Sequence, residues 1–264
     1  MHIIVCVKQV IDPEAPPATF SIDSTLMTAQ FKGAVPVIDP FAEHAVEAAL
    51  KIKDVTNARV TILSFGNSFQ RDVIKKPVAM GADELILIED NSIPAGDSYI
   101  TALVLARAIQ KIGDYNLILC GREASDTNAG QTGAGIAELL KVPCVTLARK
   151  IDISGTDLTI ERVTPDGYEI IDCSLPAVVT VSNEIGEARY PAIKGIMASK
   201  KINPVIWKAD EIGIDVNNEN FKPRAEIHEL YQPEYEGICE FVQGDNAEET
   251  GRLLADKLRE VKLI

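Results

Sequence analysis

The residues best suited to chemistry in this chain are those of Cys120–Thr132, CGREASDTNAGQT. The apolar run Asn116–Cys120 precedes them and reads as a buried parallel strand. Gly133–Leu140 follows, with Ile136, Leu139 and Leu140 at helical spacing. In an open α/β sheet, a strand, a glycine-containing loop and a helix start place a ligand in the crevice at the carboxyl ends of the strands. Gly121, Ala124, Ala129 and Gly130 leave space, while Ser125, Thr127, Asn128, Gln131 and Thr132 supply hydroxyl and amide groups. Backbone N–H groups facing a positive helix end suit a phosphate. The same residues also fit an ordinary strand-to-helix turn whose Asp126 or Thr127 caps the helix. Asp126 further suits orienting the loop or binding a ribose hydroxyl. Arg122 and Glu123 fit a plain surface ion pair of little worth. Lys8, at the end of another apolar run, is either a solvated strand end or a cation near a phosphate or a partner.

Other chemistries find no residues to carry them. There is no GxxxxGK[ST], and no GxGxxG after the first strand. The first connection, KQVIDPEAPP, is too long and too rich in proline for a dinucleotide-binding turn. The histidines His2, His44 and His228 lie far apart in sequence, and no nucleophile–base pair or metal-ligand grouping can be named. The five cysteines, Cys6, Cys120, Cys144, Cys173 and Cys239, contain no CxxC. Most lie in apolar runs, which predicts buried free thiols in a reducing cytoplasm.

The elements that must position the loop follow from the apolar pattern. His2–Val10 is continuously apolar, as in a strand covered on both faces. Phe20, Ile22 and Leu26 alternate weakly through a hairpin or long loop that extends to Val37. Asp39-Pro40 opens a helix, with aspartate as cap and proline in the first turn. Ala42, Ala45, Val46, Ala49 and Leu50 carry that helix to about Asp54. Arg59–Phe65 is a strand, and Ser68–Met80 a helix that must accommodate Pro77. Glu84–Ile88 is a strand, Ser98–Ile112 a helix capped by Asp97, and Val142–Ala148 a further strand.

This alternation predicts an α/β fold: a doubly wound, mostly parallel sheet. Right-handed crossovers then put Cys6–Lys8, Phe65–Gly66, Cys120–Gly121 and the helix start at Asp39 on one edge. Short β-like runs at Ile151–Ile153, Leu158–Val163 and Tyr168–Cys173, with turn signals between them, predict an antiparallel extension over about 150–182. A domain over 1–202 results, irregular and then briefly helical over about 183–201. From 203 the proline- and acid-rich chain reads as an extended arm outside the core, closed by an amphipathic helix over 247–261.

The 264 residues are 46% hydrophobic, enough for a sizeable core. A formal net charge of −13 argues against nucleic acid or an anionic membrane as the main partner. MHIIVCVKQV is too short an apolar run for a signal peptide. No run of about eighteen apolar residues predicts membrane insertion.

Several stretches together resemble the beta subunit of electron-transfer flavoproteins. VCVKQVID is similar to that family's opening, DPFAEHAVE to its [ND]P[FY]xxxAxE helix start, and AMGAD to its AxGAD turn. GREASDTNAGQTG resembles its G[KR]QAxDxDxxQxG nucleotide loop, and ARYPAIKGIMASKK its PRYxxLxxIMxAxKK signature. The resemblance implies a heterodimer with an electron-transfer flavoprotein alpha subunit, on which the arm and last helix pack. It implies either AMP as a structural ligand or FAD, as in electron-bifurcating members, with NADH then a transient substrate. Nucleotide contacts would fall on Cys6, Asp39, Pro40, Phe41, Ala42, Phe65, Gly121, Arg122, Glu123, Ala124, Ser125, Asp126, Thr127, Asn128, Ala129, Gly130, Gln131 and Thr132. An exposed loop over 189–198 would meet an acyl-CoA dehydrogenase-type partner through Arg189, Tyr190, Ile193, Lys194, Ile196 and Met197, with Ile193 as anchor. The chain departs from the pattern at residues 12–23, at Ser125, and at Thr127-Asn128, which replaces a more acidic stretch. Fewer acids there leave room for a second phosphate and favour FAD over AMP. A stand-alone adenine-nucleotide-binding protein of the stress type would need a GxxGxxxxxxxxxG-like loop, and none is found.

Overall fold

In the computed structural model, described for residues 1–23, 25, 27–94, 96–218, 221–233, 237 and 239–264, the chain forms two compact units, Met1–His228 and Glu229–Ile264. The first unit begins with β1 (His2–Cys6), whose five residues are all buried. Ile3 and Val5 enter the core on one face of the sheet, Ile4 and Cys6 the core on the other. This is why the run is continuously apolar rather than alternating. Full burial of each such aliphatic side chain contributes about 1.5–3 kcal/mol.

β2 (Gln9–Ile11), β3 (Phe20–Asp23), β4 (Thr28–Phe31) and β5 (Pro36–Ile38) build the excursion before the first helix. β3 pairs antiparallel with β4, and β2 with β5. The expected hairpin is therefore present, with Phe20 and Phe31 packed edge to face, ring centroids 5.2 Å apart. Leu26 lies outside the described residues.

α1 (Pro40–Thr56) crosses to β6 (Arg59–Gly66) on one side of β1. The single helix expected over Ser68–Met80 is instead two short ones, α2 (Arg71–Ile74) and α3 (Lys76–Met80). Proline lacks the N–H for a continuous helix and clashes with the preceding turn, so Pro77 sits in the first turn of the second. β7 (Glu84–Glu89) pairs with β6. α4 (Ser98–Ile112) then returns over the other face to β8 (Leu117–Gly121), which lies against the opposite side of β1. The direction of winding reverses between β1 and β8, and their carboxyl ends open a crevice there.

After α5 (Thr132–Leu140), β9 (Cys144–Ser154) runs as one strand through the two expected segments. β9, β10 (Asp157–Thr164) and β11 (Gly167–Ser174) form the antiparallel extension. β12 (Ala177–Val181) pairs parallel with both β8 and β9. α6 (Ile193–Lys201) follows, the short helix expected within 183–201, and it takes up the loop expected over 189–198 from Ile193 onward.

The chain beyond residue 203 departs from the expected arm. β13 (Val205–Trp207) adds to β7 at the sheet edge, and Ala209, Ile212, Ile214 and Phe221 are buried in the core under α4. Prolines and acids concealed four apolar residues spaced along a loop, a pattern with neither helical nor strand period. The full sheet reads β11-β10-β9-β12-β8-β1-β6-β7-β13.

The second unit carries α7 (Ala247–Glu260), as expected. Asn246 caps it by accepting from Glu249 N–H at 2.9 Å, and Glu249 accepts in return from Asp245 N–H at 3.0 Å. No residue of α7 is buried, and Leu254, Val261, Leu263 and Ile264 are exposed. Among the described residues, no helix is long and apolar enough to cross a membrane.

Candidate functional site

The crevice between β1 and β8 is built on close approach. Gly121 ends β8 directly beneath the start of α1; a Cβ there would lie 2.7 Å from the Phe41 carbonyl carbon and 2.9 Å from Ala42 N. Glycine lets the helix start and the strand end meet. Cys6 and Cys120 are Cα partners across β1 and β8, and both are buried. The hydrogen bond that the Cys120 thiol makes with Cys6 and its own burial push that thiol well above the usual thiol range, so it stays neutral. Phe65 lies two residues beyond Leu63, the register partner of Cys6, and is half-buried on the same face.

Asp39 ties the crevice together. One carboxylate oxygen accepts from Phe41 N–H at 3.0 Å and Ala42 N–H at 3.3 Å, capping α1 as expected. The other accepts from Ser125 N–H and Ser125 Oγ–H, both at 2.7 Å. Only 1% of Asp39 is exposed. A buried carboxylate engaged at both oxygens acts on a ligand through the groups it holds in place.

The loop itself is folded back. Thr127 and Asn128 N–H donate to the Ala124 carbonyl at 3.1 and 2.8 Å, and Arg122 N–H donates to the Val181 carbonyl at 3.0 Å. Asp126 pairs with Lys8 at 2.7 Å, joining the loop to the end of β1. Arg122 pairs with Glu123 at 2.7 Å and lies 5.0 Å from the centre of the Phe41 ring. From Asp126 to Gln131 every residue is exposed. No side chain caps α5, so its first-turn N–H groups remain as donors at the crevice. The expectation that Asp126 or Thr127 caps this helix does not hold: α5 begins at Thr132, several residues later, and the Asp126 carboxylate is on Lys8.

Phosphate fits this rim. Its charge would be met by N–H, hydroxyl and amide dipoles rather than by a free cation, since Lys8 and Arg122 each already have a carboxylate. The structure thus brings Asp39–Ala42, Cys6 and Gly121–Asp126 together, with Thr127–Thr132 as the open lip. Of the five free cysteines, the expected burial is realised for Cys6 and Cys120; Cys173 is half-buried, and Cys144 and Cys239 are exposed.

The second group of candidates lies at 189–198. Tyr190, Ile193, Ile196 and Met197 are exposed, Tyr190 at 95% and Ile193 at 79%. Gly195 seats α6 on α3, because a Cβ there would collide with the Ala79 carbonyl oxygen. Arg189, expected among the partner contacts, is held by α1. Its guanidinium is on Glu47 and Asp54 of α1, and these carboxylates raise its pKa further.

Sequence reasoning assigned no ion-pair role to Glu47 or Asp54 and no second contact to Asp97. Glu47 does carry a signal, being a carboxylate within the buried stripe of α1. Asp97 was read only as a cap, but it also accepts from Arg224 and Ala225 N–H, both at 2.9 Å.

Residues 16–212 match the family model described as "Electron transfer flavoprotein domain". The chain is 37% identical over 223 residues to the electron transfer flavoprotein subunit beta of Thermoanaerobacterium thermosaccharolyticum, covering 84% of each chain. It is 32% identical to the caffeyl-CoA reductase-Etf complex subunit CarD of Acetobacterium woodii, and 31% identical to the electron transfer flavoprotein subunit beta of Megasphaera elsdenii. Both of those alignments cover 100% of both chains.

Proposed function

This chain belongs to the electron transfer flavoprotein beta-subunit family, and from that premise we propose that it binds FAD in the β1/β8 crevice and carries electrons as one half of a heterodimer with an alpha subunit. The observation that carries the choice of FAD is the charge state of the loop. Asp126 and Glu123 are each neutralised by a cation of this chain, and Thr127–Gln131 is open and uncharged. A second phosphate meets no unpaired carboxylate there. The relatives that align along the whole chain include a subunit named as part of a reductase-Etf complex, which is consistent with service to an acyl-CoA dehydrogenase-type partner.

The bound flavin would supply the redox chemistry, accepting electrons from NADH or a dehydrogenase and passing them on. The protein binds and orients. Asp39 fixes Phe41 and Ser125, Gly121 admits the helix start, and the lip from Asp126 to Thr132 holds phosphate. Cys6, Pro40, Ala42 and Phe65 line the strand-end side. No side chain need act as acid or base. Tyr190, Ile193, Ile196 and Met197, with Lys194 beside them, present an apolar patch for the partner, with Ile193 as anchor. Residues 229–264, whose helix buries nothing of its own, suit docking on the alpha subunit. The free cysteines suit the cytoplasm.

Cofactor extraction from the purified heterodimer tests this reading. Two FAD per heterodimer is expected. One FAD with one AMP would sink the FAD assignment in favour of a structural nucleotide. A homodimer that carries ATP and lacks an alpha partner would overturn the heterodimer as well.

A further inference from the structure

α1 carries a polar seam at His44, Glu47, Lys51 and Asp54, spaced three, four and three residues apart and so aligned on one stripe. Each member holds a point of the segment that leads into the apolar patch. His44 Nδ1 lies 3.0 Å from the Gly186 carbonyl oxygen, and Lys51 Nζ donates to the Ile185 carbonyl at 2.7 Å. Glu47 accepts from Arg189 N–H at 3.0 Å, from Nε at 2.9 Å and from Nη2 at 3.0 Å. Asp54 accepts from Arg189 Nη2 at 2.8 Å.

The Glu47 contact differs in kind from the others. Glu47 is 4% exposed, and a buried carboxylate is costly unless it is paired and hydrogen-bonded. Here both of its oxygens meet the guanidinium fork of Arg189, and one also takes the Arg189 backbone N–H, which fixes the chain immediately before Tyr190. Six residues after Arg189 the chain is fixed again, where Gly195 leaves α6 no clearance from Ala79. Tyr190 and Ile193 stand exposed between these two fixed points.

We infer that Glu47 is a positioning residue for partner docking: acting through Arg189, it holds the Tyr190–Met197 patch in the orientation that a redox partner grips. This rests on the reading of that patch as the partner surface. Preorganisation lowers the ordering cost of association, so its loss weakens binding of the partner without changing the cofactor or the electron-transfer step once the partner is bound.

The experiment titrates an acyl-CoA dehydrogenase from the same organism against the intact heterodimer and follows steady-state electron transfer. Glu47→Gln keeps the side-chain shape but removes the charge. Its KM for the dehydrogenase is expected to rise about tenfold, with kcat at saturating partner and the flavin absorbance spectrum unchanged. Asp54→Ala removes the outer carboxylate, which is 59% exposed, and so spares the fold. It is expected to raise KM about twofold to threefold. Arg189→Lys, which keeps the charge but loses the fork, should fall between them. Ile193→Ala separates this inference from the reading beneath it. If Ile193→Ala raises KM while Glu47→Gln and Asp54→Ala leave it at the native value, the positioning role is overturned and the docking surface stands. If Ile193→Ala leaves KM unchanged, both fall. Should Glu47→Gln fail to assemble, an unchanged KM in Asp54→Ala is enough to overturn the positioning role.

Discussion

Two buried aspartates do the same local job on opposite faces of the sheet. Asp39 caps α1 and Asp97 caps α4, and each uses its second oxygen to hold a segment far away in sequence. The difference lies in what they hold. Asp39 takes the backbone N–H and the hydroxyl of Ser125, so its grip on the ligand loop depends on the residue at that position. Asp97 takes only backbone N–H groups, those of Arg224 and Ala225, and its grip is nearly indifferent to side chains. The first clamp shapes a binding site, whereas the second fixes the last stretch of the first compact unit, which ends at His228.

The strongest way to break this parallel is to remove each carboxylate. Asp39→Ala and Asp97→Ala should each lose about 3 kcal/mol of stability in denaturant titrations, the sum of a cap and charge-assisted hydrogen bonds. Only Asp39→Ala should also lose bound nucleotide on gel filtration. If Asp97→Ala releases the nucleotide too, the clamps are not functionally separate.

Ser125→Ala sharpens the contrast. It deletes one hydrogen bond to a buried carboxylate, which is worth about 1.5 kcal/mol in stability, and should weaken nucleotide binding several-fold in a calorimetric titration. Unchanged affinity would mean that the Ser125 N–H alone holds the loop.

Acid separates Asp97 from a neutral mimic. Burial raises its pKa, but the N–H groups of Ile100, Ala225, Arg224 and Tyr99 outweigh this and hold it below the ordinary aspartate value of 3.8. A carboxylate with a depressed folded-state pKa contributes stability above its unfolded value and loses it as pH falls through the folded value. The stability gap between the native protein and Asp97→Asn should therefore be flat from about pH 5 to 8 and close below about pH 4. A gap that widens in acid would contradict the clamp.

Arg224→Ala should have the smallest effect. Its N–H is kept, and only the stacking of its guanidinium 4.9 Å from the centre of the Tyr99 ring is lost. About 0.5 kcal/mol is expected by thermal unfolding. A loss as large as that of Ser125→Ala would show that the Asp97 clamp also reads side chains.

The clamps also show what was legible in the chain. Both caps could be read, because an aspartate just before an apolar stripe of helical period is a local signal. The Ser125 half of the first clamp was partly visible, as a residue that departs from the resembling pattern. The Arg224–Ala225 half of the second was not, since backbone donors leave no mark on residue type. The fold over 1–182 followed from periodicity, except where Pro77 split a helix, where β9 joined two expected segments, and where β12, inside the expected antiparallel extension, pairs parallel with β8 and β9. Beyond residue 203, Ala209, Ile212, Ile214 and Phe221 were hidden because irregular chain buries side chains without a period.

The sequence by itself determined the alternation of strands and helices, the two aspartate caps, the order of the resembling motifs and hence the family. These rest on local patterns of apolarity and on backbone chemistry within a few residues. Only the tertiary structure decided which charge meets which. Asp126 goes to Lys8 rather than to the helix that follows it, and Arg189 goes to Glu47 rather than out into solvent. Such partners lie more than a hundred residues apart. They become neighbours only when the sheet places β1 beside β8 and α1 beneath the chain that follows β12.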